Sequence, residues 1–387
     1  MKAFHQLATV QKILESYKQD QPLHRFLAQY YRLNKQMGSK DRKIASRLVY
    51  NYFRLGGALS AIPLQEKLAV AEFLCNESSN SFIGYYKEEW AEKLGLPVSA
   101  KIAEVEKSYP QFQLADVFPF NAHLLDGIDS EDFLRSFFIQ PDLFVRVKKG
   151  GEKQFQKLLS GHDIPFKQLG EQTFALANGT KLEVVIPDKG IYEVQDRSSQ
   201  ETGTFFKPNK WDKWWDCCAA SGGKSLMLHD QQPDIKLLVT DIRESILANL
   251  DERFRNAGIR NYQKKVMDLT LSQSLLLHDY HFDGIIVDAP CSGSGTWGRT
   301  PEMISQFQEH SINFFQELQR KILKNVIQYL KNDKPLIYIT CSVFKEENEE
   351  QVQWLQKEFS LEVESQKVIK GYQHKADTMF VARLVKK

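Results

Sequence analysis

From about Tyr192 onward, short apolar runs alternate with amphipathic stretches, and this alternation restricts the fold more than any other feature of the chain. The runs at 213–218, 235–241, 263–267, 284–288, 335–341, 361–364 and 379–384 have strand composition. Between them, 224–230, 245–257, 312–329 and 346–358 carry apolar residues at helical spacing. Strands separated by helices pair in parallel and are covered on both faces, so a mostly parallel α/β sheet is predicted. In such sheets ligands bind beyond the carboxyl ends of the strands, which directs attention to the residues that follow each run.

Four of those strand ends carry chemistry. The first is Asp216-Cys217-Cys218-Ala219-Ala220-Ser221-Gly222-Gly223-Lys224-Ser225. Small residues there let backbone approach a ligand, and a helix N-terminus offers free N–H donors. The segment ends in Gly-Lys-Ser, but a P-loop would need its first glycine where Cys218 stands. A structural turn is the plainer alternative. The second is Asp241, 19 residues beyond Gly222. An acid near this spacing takes ribose hydroxyls in nucleotide-binding sheets, although it could equally cap the next helix. The third is Asp288-Ala289-Pro290-Cys291-Ser292-Gly293-Ser294-Gly295, delivered by the apolar strand residues Ile285 to Val287. The fourth is Thr340-Cys341-Ser342, which brings a second thiol to the same edge. The acidic run from Glu346 to Glu350 that follows is expected to form the first turn of a helix, where negative charge offsets the macrodipole.

The rest of the chain is organised differently. Residues 1–135 show helical periodicity and no strand alternation, as in Leu7, Val10, Ile13 and Leu14. Residues 136–191 read as a small α+β unit, with strands at 143–147, 173–176 and 182–186, a helix at 152–159, and a hairpin turn at Asn178-Gly179. The four strand-end motifs then fall within a third domain, 192–387. Residues 1–60 hold 11 Lys/Arg against 3 Asp/Glu, and residues 61–130 hold 5 against 11. That asymmetry suggests a basic face for a polyanion, with a solvated helix surface as the alternative. The five cysteines form no Cys-x-x-Cys pair, which disfavours a disulfide framework and a zinc site, and no metal is expected. No run approaches 18 apolar residues, so no membrane partner is expected and the protein is expected in the cytoplasm, as a monomer.

Two thiols, an acid and an adenosine-like site on one edge suit a specific reaction. Carbon 5 of cytosine is a poor nucleophile. A thiolate adding to carbon 6 makes carbon 5 enamine-like, so that it can attack an activated methyl group. At this point the chain resembles the RsmB/Sun (NOL/NOP) family of RNA cytosine-5 methyltransferases. The resemblance lies in Gln195-Asp196-Arg197-Ser198-Ser199-Gln200, in the Asp216 to Ser225 stretch, in the Pro-Cys and Thr-Cys motifs, and in Glu347-Asn348. More weakly, the helical residues 1–135, notably 40–54, look like a NusB-like RNA-binding domain.

The resemblance implies a class I methyltransferase domain with a seven-stranded sheet. Cys218, Ala219, Ala220, Ser221, Gly222, Gly223 and Lys224 would contact S-adenosylmethionine, with Asp241 on the ribose and Asp268 on the adenine side. Asp288 would lie beside cofactor and base, and Lys224 is grouped with it in catalysis. Cys341 would be the nucleophile and Cys291 would assist release. The implied substrate is small-subunit (16S) ribosomal RNA. Ser221 stands where the family usually has proline, Gly298 where arginine is common, and Thr378-Met379 where Gly-Phe is more usual. Two alternatives stay open: the same chemistry on transfer RNA, and a non-catalytic RNA-binding assembly factor. An amino-group methyltransferase is disfavoured, since it needs no thiol and no Asn/Asp-Pro-Pro-aromatic motif is found.

Overall fold

The computed structural model describes residues 2–387, which divide into two compact units. The first comprises the residues up to Ala122, together with Asp129–Gln140 and Thr296–Glu309. Its helices include Ala3–Ser16, Leu23–Leu33, Ser39–Arg54, Leu64–Cys75 and Val98–Ser108. Pro22, Pro63 and Pro97 stand immediately before three of them, where a fixed φ and a missing N–H cost nothing. Val10, Ile13, Leu27, Leu48, Val49, Phe53, Leu68 and Phe82 form a common core. Arg54 is buried within this unit, where its guanidinium donates to the carbonyls of Phe137 (2.5 Å) and Gly298 (2.9 Å) and to Gln140 Oε1 (3.0 Å). A segment lying after the Pro-Cys motif in sequence thus belongs to the helical unit.

The second unit holds two sheets. In the smaller, β1 (Leu143–Val147), β2 (Phe166–Gln168), β3 (Thr173–Leu176) and β4 (Tyr192–Val194) pair antiparallel in the order β2-β3-β1-β4. The helix Glu152–Gly161 covers it through Phe155 and Leu159. Gly179 does make a left-handed turn after β3. The strand expected at 182–186 is instead a short helix, Leu182–Val185. Leu182 and Ile186 are both buried while Val184 is 69% exposed, the i, i+4 pattern of a helical turn.

The larger sheet contains β5 (Lys213–Asp216), β6 (Lys236–Asp241), β7 (Tyr262–Val266), β8 (Gly284–Asp288), β9 (Pro335–Thr340), β10 (Leu361–Ile369) and β11 (Met379–Lys386). Their order is β10-β11-β9-β8-β5-β6-β7. Strands β5 to β9 pair in parallel, and β11 and β10 close one side antiparallel. Neighbouring residues pack on opposite faces: Trp215, Ile285, Val287 and Tyr338 on one, Trp214, Val239, Ile286 and Ile339 on the other. Burial on both faces is why β6, β8 and β9 read as continuous apolar runs. The order reverses between β5 and β8, which makes their carboxyl ends the expected ligand crevice. Among the described residues, no helix is long and apolar enough to cross a membrane.

Candidate active site

Four parallel strands deliver the motifs to one edge. Asp216 ends β5 level with Val239 of β6 and Ile286 of β8, and Asp288 ends β8 level with Ile339 of β9. The strands stop at Asp216 and Thr340, so the cysteines that follow sit in the turns beyond them.

Beyond Asp216 the chain turns before the helix Gly223–Gln231. Ala220 (φ 47°) and Gly222 (φ 84°) adopt left-handed backbone. At Gly222 a side chain would meet Phe254 at 2.7 Å, so glycine is required twice over. Ser221 is braced from outside. Its carbonyl and hydroxyl accept from Arg253 Nη1 at 2.8 and 2.7 Å, and Arg253 Nη2 is paired with Glu193 at 2.7 Å. An arginine clamp therefore holds the turn where proline would have stiffened the backbone itself. Asp216 is fully buried and accepts from Ser225 Oγ at 2.6 Å. Burial pushes its carboxyl up to about 7.

Lys224 is buried, and its Nζ donates to Asp288 Oδ2 (2.8 Å) and Ser199 Oγ (3.0 Å). Ser199 accepts from Gln195 Nε2 (3.2 Å), whose Oε1 takes Arg146 Nε of β1 (2.9 Å). The stretch Gln195 to Gln200 thus orients the lysine, a role its sequence does not disclose. Asp241 is buried at the tip of β6 and accepts from the N–H groups of Ala220 (3.0 Å) and Arg243 (2.9 Å) and from Arg243 Nε (3.0 Å). Asp268, half-buried after β7, accepts from the N–H (2.9 Å) and hydroxyl (2.7 Å) of Thr270.

The two thiols meet. Cys291 Sγ and Cys341 Sγ lie 3.4 Å apart, both half-buried. The hydrogen bond to Cys341 and burial push the Cys291 thiol well above its ordinary range. Either sulfur can donate in this contact. Burial also pushes Cys75 up to about 12 and Cys217 well above its ordinary range, and both lie away from the paired sulfurs as inert apolar groups. Cys218 is half-buried in the glycine-rich turn.

The acidic run after Cys341 departs from expectation. Lys345–Glu347 forms a 3-10 turn, Asn348 breaks the geometry (φ −128°, ψ −91°), and the helix begins only at Glu349. Glu349 and Glu350 fill its first turn, whereas Glu347 points inward and is completely buried. The reason is a set of waiting donors: Ser292 N–H (3.0 Å), Gln319 Nε2 (2.9 Å) and Ser342 Oγ (2.6 Å). Among the described residues, no group of three or more His, Cys, Asp or Glu side chains is placed to hold a metal ion.

Residues 203–385 match the family model described as 16S rRNA methyltransferase RsmB/F. The ribosomal RNA small subunit methyltransferase B of Enterobacter sp. (strain 638) is 33% identical over 165 residues, 43% of this chain but only 38% of that protein. Its namesake in Erwinia tasmaniensis aligns over 90% of this chain and 88% of its own length at 26% identity. Among solved structures, PH0851 superposes over 98% of this chain and 97% of its own with a TM-score of 0.72 and 19% identity. NSun6 from Pyrococcus horikoshii, crystallised with SFG, covers 67% of this chain and 94% of its own with a TM-score of 0.60 and 15% identity. The fold is that of class I methyltransferases.

Proposed function

We propose that the chain, whose residues 203–385 match the RsmB/F methyltransferase family model, methylates carbon 5 of a cytosine in small-subunit ribosomal RNA, with S-adenosylmethionine as donor. The observation that carries the proposal is the pair of thiols 3.4 Å apart at a strand edge that also holds the Lys224–Asp288 ion pair. A methyltransferase acting on an amino group or an oxygen needs neither thiol.

The residues present fit the cofactor. The turn from Cys218 to Lys224 offers backbone N–H groups at a helix N-terminus for a carboxylate. Asp241 and Asp268 stand at the ends of β6 and β7 with carboxylate oxygens suited to the ribose hydroxyls and the adenine amino group. Asp288 adds a further negative charge toward a cationic donor. When bound, S-adenosylmethionine supplies an electrophilic methyl group.

The chain's own residues account for the remaining steps. The Cys341 sulfur, as thiolate, forms a bond to carbon 6, and the electron pair of the 5,6 double bond moves toward carbon 5. The protonated Cys291 thiol beside it donates a hydrogen bond to that sulfur before attack. Lys224, held by Asp288 at 2.8 Å, places a positive charge where the negative charge building up on the pyrimidine can be offset. Carbon 5 takes the methyl group. Its proton then leaves to a base, the Cys341–carbon 6 bond breaks, and the sulfur departs with its electron pair. Cys291 assists this release.

The test uses RNA labelled with tritium at carbon 5 of cytosine. The proposal predicts one tritium released to water per methyl group transferred, with 5-methylcytidine appearing in small-subunit RNA on bisulfite mapping. Methyl transfer without tritium release contradicts the carbon 5 assignment. Release on transfer RNA and none on ribosomal RNA keeps the chemistry and replaces the substrate.

A further inference from the structure

The two sulfurs are carried by different turns, one after β8 and one after β9, and neither turn alone fixes the distance between them. The polar groups behind them do. Ser292 directly follows Cys291 and Ser342 directly follows Cys341. One carboxylate binds both: Glu347 Oε2 accepts from the Ser292 N–H at 3.0 Å, and Oε1 accepts from Ser342 Oγ at 2.6 Å. Gln319 holds the same carboxylate from the helix His310–Ile327 (2.9 Å) while donating to the carbonyl of Pro290, the residue before Cys291 (3.1 Å). Ser292 Oγ also donates to Ser342 Oγ (3.1 Å), and the Gly295 N–H donates to the Cys341 carbonyl (2.8 Å).

Glu347 is completely shielded from water, and so are Ser342, Asn348 and Gln319. A buried carboxylate is costly unless its oxygens are satisfied. Here both are, by donors from three separate segments, so the geometry is over-determined.

We infer that Glu347 is a positioning residue: it locks the Cys291 turn to the Cys341 turn and so sets the spacing of the two sulfurs. This rests on the two-thiol reading above only for its consequence in catalysis, because the spacing itself can be measured without RNA. Glu347 acts on the sulfurs through Ser292 and Ser342, the residues that follow them.

Phenylarsine oxide is the probe of spacing. Its arsenic forms two As–S bonds with a close pair of thiols and releases one water, with no change of oxidation state. The wild-type protein is expected to take it up at Cys291 and Cys341 in a form that resists mercaptoethanol and yields to dithiothreitol; Cys291→Ala should not. Glu347→Ala is expected to lose this capture while both thiols still alkylate singly. In the transfer assay its kcat should fall about a hundredfold, the cost of roughly 1 Å of misplacement, with KM for RNA and affinity for S-adenosylmethionine within about twofold. Should Glu347→Ala fail to fold, Glu347→Gln, which keeps the shape and one acceptor oxygen, is the working variant; it should recover part of both signals. Unchanged capture and kcat in a folded Glu347→Gln and Glu347→Ala pair would overturn the inference. Capture that depends on Glu347 in a protein that methylates no RNA would support the positioning role and overturn the proposed function instead.

Discussion

Asp241 shows how little of a binding site a residue type reveals alone. Its carboxylate is buried and is engaged by the Ala220 N–H, so it ties the end of β6 to the glycine-rich turn. It is engaged by Arg243 as well, at 3.0 Å to Nε. A ribose diol would add charge-assisted hydrogen bonds worth about 1.5–3 kcal/mol. Calorimetry should therefore find S-adenosylmethionine bound at least about tenfold more weakly by Asp241→Ala. Unchanged affinity would move the ribose interaction elsewhere. Lys224 allows a sharper separation. Its ammonium is buried and bonded to Asp288, so Lys224→Met leaves that carboxylate without its oriented partner. Initial rates should fall about a hundredfold, the scale of removing one preorganised electrostatic interaction. An unaltered rate would make the ion pair purely structural. Both residues are legible in the sequence because Asp241 ends a strand and Lys224 follows the glycine-rich turn that leads out of another. Glu347 is not, since an acid at a helix start and an acid turned into a core have the same letters around them.

At the scale of elements, the alternation of strand-like runs and amphipathic stretches is enough to find all of β5 to β11. Strands β6, β8 and β9, buried on both faces, leave an unbroken apolar signal, whereas β7 and β10 are largely exposed and stand out by their place in the alternation. The strands β2 and β4 are three residues each and do not stand out from loop in the sequence. The Leu182–Val185 helix reads as strand because a short apolar run fits a strand as well as a turn of helix; which side chains find the core decides, and that is a tertiary fact. The end of β5 carries its own test. Burial raises Asp216 from 3.8 to about 7. Between those values the unfolded chain has released this proton and the folded chain has not, so stability declines as pH rises through the window. Asp216→Asn removes that titration and keeps an oxygen for Ser225. Melting temperatures recorded across that window should fall less in the variant than in the wild type. Parallel curves would show that another group sets the dependence.

For the whole molecule, the basic N-terminal residues are the best candidates for an RNA surface. Lys2, Lys12, Lys18, Arg25, Arg32, Lys35, Lys40 and Lys43 are exposed, whereas Arg54 is buried and Arg47 is paired with Glu72. Deleting residues 1–60 would be a poor test, because Val10, Ile13, Leu27 and Leu48 share one core with Leu68 and Phe82. Reversing Arg25, Arg32 and Lys35 to glutamate leaves that core intact. Affinity for RNA should drop, and the slope of log affinity against log salt should flatten by about one for each phosphate no longer neutralised. An unaltered slope would leave these residues a solvated surface. The two thiols could exchange roles, and one denaturing gel separates the two assignments. If Cys341 attacks and Cys291 assists release, Cys291→Ala incubated with RNA and S-adenosylmethionine should accumulate a covalent protein–RNA conjugate, and Cys341→Ala should form none. A conjugate with Cys341→Ala and none with Cys291→Ala would contradict the assignment.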